Sequence, residues 1–140
     1  MSAVATPRRP ADRRRPVRPL ARRLMGPEAL TLAVFATLHL SGALHIGSSG
    51  RPSYGAGVAE ALICVALVGG AAAGSRRAAL AALGFAIFGF LVGLSFTVGS
   101  GDTIDLAYHL VMLPILMATA ALVALTGRPS GPVHNSQKLT

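Results

Sequence analysis

Tryptophan is absent from this sequence, cysteine occurs once, and only five residues are acidic. Each shortage excludes something. A single cysteine, Cys64, rules out a disulfide framework within one chain. Placed mid-way along an apolar stretch, it reads as a small hydrophobe. Without tryptophan, the aromatic belt that usually marks a membrane–water boundary is reduced to Tyr54 and Tyr108. Charged residues make up 13% of the chain, against about 25% in a soluble domain. There is no Walker loop, no GxSxG and no HExxH, so soluble-type kinase or hydrolase chemistry has no support. There is no CxxCH either, so any haem would be held non-covalently.

What is present is apolar: 52% of the residues are hydrophobic and the mean hydropathy is +0.58. They gather in four stretches, residues 29–46, 55–74, 78–98 and 104–126. The hydrocarbon core is about 30 Å thick and a helix rises about 1.5 Å per residue, so roughly 20 apolar residues span it. The pattern predicts an all-α, four-transmembrane-helix bundle, integral to the membrane, over residues 25–127. Residues 1–24 carry eight arginines and four prolines. Such sequence cannot bury enough apolar surface to order itself, and it reads as a disordered basic tail. Residues 128–140 form a second tail.

Charge sets the orientation. The N-terminal arginines, Arg76, Arg77, Arg128 and Lys138 fall on one side of the predicted bundle, and Arg51 alone falls on the other. Both termini are therefore expected in the cytoplasm, with the chain in the cell inner membrane. The arginine tail is read as a contact for anionic lipid and as a topology signal rather than a nucleic-acid site, since no aromatic residue interrupts it to stack on a base. Ser41-Gly42-Ala43 faintly resembles a signal-peptide cleavage site, but the apolar run exceeds a usual h-region, and the first stretch is read as an uncleaved span.

Close helix approach in lipid depends on small residues. They recur at Ala29, Ala33, Thr37 and Ser41, at Gly70 and Gly74, and at Gly89, Gly93 and Thr97. Gly89 and Gly93 form a GxxxG, which places the third span at the centre. Pro114 is expected to kink the fourth span and free the carbonyl of Leu110.

The ionisable residues read as lying within the spans are His39, His45, Glu60, Asp105 and His109. Such groups are costly in lipid and are functional candidates by default. On the expected topology His39 lies roughly 10 Å below the outer surface, and Glu60 and His109 roughly 8 Å below it. Three helices thus place a polar group in one layer of the outer leaflet. Asp105 and His109 share a helix face four residues apart, so the carboxylate can orient the imidazole. Asp105 can equally be a first-turn residue that suits the helix dipole, after an N-cap at Asp102 or Thr103. Tyr108 adds a hydroxyl beside them.

Several chemistries fit this layer. His39 and His109 at equal depth would suit bis-histidine haem b. His39, Glu60 and His109 form a mixed set suited to a divalent metal. A quinone could place its head on His109 and Tyr108, and a proton relay could run through Glu60 and the histidines. A hydrogen-bonded knot that fixes helix register is the plain alternative.

Residues 55–93 contain a glycine-rich lead, Val58-Ala59-Glu60-Ala61-Leu62, an apolar run to Gly69-Gly70, then Arg76-Arg77 and an alanine-rich span. This resembles the middle of the small four-helix bacterial membrane proteins of the DoxX-like group, in which a membrane-embedded Glu opens the second helix. The resemblance implies association with quinone-linked redox complexes, and Glu60 is the residue that carries over. The expectation is a small accessory or redox-associated subunit, non-catalytic on its own, with an outer-leaflet polar pocket. The alternatives are a proton- or metal-linked transporter acting as a homo-oligomer, and a purely structural bundle. A membrane-protein partner fits the first of these.

Overall fold

Stop signals in the sequence set the boundaries of four helices: α1 (Val17–Leu40), α2 (Tyr54–Ala73), α3 (Arg76–Thr97) and α4 (Thr103–Leu125). The computed structural model describes residues 17–44, 53–99 and 102–126, and among these there is no strand. At the end of α1 the amide of Ala43 bonds the carbonyl of Leu38, and that of Gly42 bonds the carbonyl of His39. With Gly42 at φ 73°, this is a Schellman cap, which needs a left-handed residue that glycine supplies without strain. The Ser41-Gly42-Ala43 triplet is therefore a helix stop. Gly74, at φ 66°, ends α2 in the same conformation. Ser75 then caps α3 by accepting from the amide of Ala78 at 3.1 Å. Asp102 caps α4, accepting from Ile104 at 2.9 Å and from Asp105 at 3.1 Å.

α1 departs from expectation at both ends. It begins at Val17, inside the stretch read as disordered, and it stops at Leu40 rather than near residue 46. Pro27 lies within it, without ending it. α2, α3 and α4 are each long and apolar enough to cross a membrane, whereas α1 is not among the helices that meet this measure. The reason is its first half, where Arg18, Arg22, Arg23 and Glu28 break the apolar run. Residues 25–40 supply about 24 Å of mainly apolar helix.

The helices form an up-and-down ring. Gly57, early in α2, sits against Ala36 and Leu40 at the end of α1, and Gly70, late in α2, sits against Ala78 and Ala82 at the start of α3. Gly93 near the end of α3 meets His109 near the start of α4. Thr119 late in α4 returns to Glu28 in α1. Each pair is therefore antiparallel, as short connections require. The α1–α2 contact is the most extensive and the α1–α4 seam the slightest.

Beyond the exposed arginines at the starts of α1 and α3, the exterior is apolar on all four helices. Leu30 is 68% exposed, Val65 70%, Phe96 70% and Val111 59%. The interior holds Leu32, Leu67, Leu83 and Leu116, all fully buried. It also holds the polar side chains Glu28, His39, Glu60, Asp105, His109 and Thr119. A soluble bundle shows the opposite arrangement, with charged residues outside.

The small residues do different jobs. At Gly70 a side chain would run into the Ala78 carbonyl at 3.0 Å and the Ala82 Cβ at 2.6 Å, so backbone meets backbone there. Gly57 is similar, with the Ala36 carbonyl at 3.1 Å. Gly89 instead makes room for the tip of Ile63, and Gly93 for the His109 ring. The GxxxG of α3 thus accommodates side chains from both neighbours, while the tightest helix contacts flank α2.

Candidate functional site

Two acid–histidine pairs occupy one end of the bundle. His39, in the last turn of α1, donates from Nδ1 to Oε2 of Glu60 in α2 at 2.8 Å. With the carboxylate oxygen as acceptor, the proton of the contact sits on Nδ1. His39 is 1% exposed and its Nε2 has no partner among the described residues.

The second pair lies within α4. His109 donates from Nδ1 to the backbone carbonyl of Asp105 at 2.9 Å. The Asp105 carboxylate lies alongside, with Oδ1 3.4 Å from the same nitrogen. The carbonyl, rather than the carboxylate, therefore orients the ring. Asp105 lies in the first turn of α4, where the free amides of the helix start favour negative charge. It is buried, and among the described residues neither of its carboxylate oxygens has a hydrogen-bond partner. The Glu60 and Asp105 carboxylates both lie within electrostatic range of both imidazoles.

Tyr108 stacks on Phe35 with ring centroids 3.7 Å apart and meets Phe90 edge-on at 5.4 Å. It is a core residue whose hydroxyl finds no partner among the described residues. His45 lies outside the described residues.

Beside this layer, α2, α3 and α4 enclose a cavity of about 500 Å³, within the usual range of small-molecule sites. Phe85, Phe88, Phe90 and Phe96 line it, and Glu60, Asp105 and His109 are its ionisable groups. Phe88, Phe96 and Leu62, all exposed, carry its wall to the apolar exterior. Gly93 has no side chain to cover Nε2 of His109.

His39 and Tyr108 do not line this cavity. The cavity therefore presents one imidazole, not the facing pair that bis-histidine haem ligation needs. The divalent-metal set is not assembled either: among the described residues no three His, Cys, Asp or Glu side chains are placed to hold a metal ion. The reason is local pairing. Glu60 turns to His39 while His109 turns back on its own helix, so the three expected ligands do not share a centre.

Sequence reasoning passed over Glu28, one residue before the expected first span. It is buried in α1 and accepts a hydrogen bond from the Thr119 hydroxyl of α4, and its Oε2 has no partner among the described residues. The signal was available, since an acid four residues before Leu32 and eight before Ala36 falls on the buried face of the helix. At the same end of the bundle Arg76 donates to the Ala124 carbonyl at 2.5 Å. Between the two ends, Cys64 donates from Sγ to the Ala29 carbonyl at 3.2 Å, which ties α1 to α2.

No protein-family model matches the chain, and no curated protein or solved structure shows significant similarity to it.

Proposed function

We propose that this chain is an integral membrane protein of four spans that binds a small lipophilic molecule in the cavity between α2, α3 and α4. The observation that carries this reading is the cavity itself: its walls are apolar and continuous with the apolar exterior, and its ionisable groups are Glu60, Asp105 and His109. A ligand dissolved in the bilayer can slide in sideways and set its polar head against those three residues. Such a protein acts as an accessory subunit that holds or hands over a ligand, since the site has no activated nucleophile. The quinone-linked role implied by the DoxX-like resemblance belongs to the same ligand class, and Glu60 is the residue common to both arguments.

Filling the cavity tests this. Ala59 lines it and is exposed, so Ala59→Phe adds a ring to open space rather than to the core. The variant is expected to fold normally in lipid nanodiscs and to lose binding of 1-butylnaphthalene, a neutral lipophilic probe that the parent protein binds. Retained binding in Ala59→Phe places the ligand elsewhere.

The topology is the second part of the proposal. Twelve of the thirteen bases fall on one side of the four spans, so both termini are assigned to the cytoplasm. In a Cys64→Ala background, single cysteines beside Arg51 and Asp102 are expected to react with a membrane-impermeant maleimide added outside cells. Cysteines at positions 10 and 135 are expected to stay unlabelled. The reverse pattern inverts the protein and moves the acid–histidine layer to the inner leaflet.

A further inference from the structure

We infer that the cavity selects lipophilic ligands whose head is a cationic amine. This rests on the reading that the cavity binds a lipophilic molecule, and it follows from which atoms remain for the head to meet. Asp105 is 2% exposed, lines the cavity, and among the described residues neither carboxylate oxygen has a hydrogen-bond partner, with Oδ1 3.4 Å from Nδ1 of His109. Glu60 spends one oxygen on His39. His109 commits its Nδ1 hydrogen to the Asp105 carbonyl, which leaves Nε2, over Gly93, as the ring's uncommitted nitrogen. The Thr97 hydroxyl donates to the Leu94 carbonyl. The deep wall therefore offers acceptors, two of them carboxylates.

The matching charge does not come from an arginine of the bundle. Arg76 and Arg77 open α3, and Arg22 and Arg23 lie in the first half of α1, all at the opposite end from Asp105 and Glu60. Arg51 lies outside the described residues; among those described no arginine or lysine lies at the layer, and Oδ2 of Asp105 is unmet. An ammonium group supplies both the charge and several donors in a small volume. The four phenylalanines of the lining suit its apolar body, and aromatic rings attract a cation as well as a hydrocarbon. An oxidised quinone presents only acceptors and is a poor complement to this wall.

A matched set of probes tests the inference on the full chain in lipid nanodiscs, with empty nanodiscs as the blank. The probes are 4-(1-naphthyl)butylamine, its neutral N-acetyl derivative and 1-butylnaphthalene, followed by naphthalene fluorescence. The amine is expected to bind about tenfold or more tightly than either neutral probe. Asp105→Asn is expected to remove that preference while 1-butylnaphthalene binding stays within about twofold, which also reports an intact fold. Should Asp105→Asn not fold, the drop on acetylation in the parent protein decides alone. Equal affinity for all three probes overturns the cation preference and leaves the lipophilic cavity standing; a preference that survives Asp105→Asn overturns the assignment of the charge to Asp105. Binding of none of the three overturns both readings.

Discussion

Replacing His39 by leucine is expected to cost about 3–5 kcal/mol of unfolding free energy, the largest loss from any single change in the polar layer. His39 donates its Nδ1 hydrogen to Glu60 at 2.8 Å, and both side chains are buried. With His39 gone, the Glu60 carboxylate keeps its desolvation cost and loses its partner. Glu60→Leu is expected to cost less, because the neutral imidazole it leaves behind is cheaper to bury than a carboxylate. The double variant His39→Leu/Glu60→Leu is expected to recover most of the loss, since replacing both partners by apolar groups removes the unpaired charge altogether. Unfolding in mixed detergent micelles, read by circular dichroism, measures all three. Additive losses in the double variant would show that the two side chains do not act as a pair.

Gly70→Leu is expected to destabilise by about 3 kcal/mol or to prevent folding, whereas Gly89→Ala is expected to cost under about 1 kcal/mol. What a side chain would strike makes the difference. At Gly70 it meets the Ala78 carbonyl and the Ala82 Cβ. Neither can move without moving α3, and α3 is tethered to α2 through Gly74 and Ser75 alone. At Gly89 the obstacle is the Cδ1 tip of Ile63, which can turn away. Melting temperatures of the two variants in the same detergent decide the matter, and equal effects would mean that the α2–α3 contact is looser than described.

The contrast also shows what the chain discloses before it folds. Small residues every four positions mark helix faces, and Gly70, Gly89 and Gly93 do lie at helix contacts, whereas Gly74 is the left-handed stop of α2. Their spacing could not say whether a neighbour would offer a backbone or a flexible side chain, because that depends on helix rotation, which tertiary packing sets. The three most apolar helices were legible because length and hydropathy are local properties. The start of α1 was not legible, because its arginines and Pro27 look like linker until α2 is packed beside them. The acid–histidine layer was legible as a shared depth, since rise per residue is fixed. Its division into two pairs was not, because pairing depends on rotamers and on a carbonyl of His109's own helix. Glu28 was lost to a boundary drawn one residue too late.

Glu28 and its partner also bear on how the chain enters a bilayer. Among the described residues, each polar contact that α1 makes with another helix is completed by a segment translated later: Ala29 by Cys64, His39 by Glu60, and Glu28 by Thr119. On the proposed four-span topology, a nascent chain that has emerged only as far as Leu40 carries two ionisable side chains with nothing to meet them. α1 therefore commits to the membrane together with α2, as the two arms of one hairpin. Glu28 waits longer, until α4 arrives and Thr119 closes the slightest seam of the ring. For the polar groups of α1, order of synthesis and order of satisfaction coincide, and Thr119 meets the last of them.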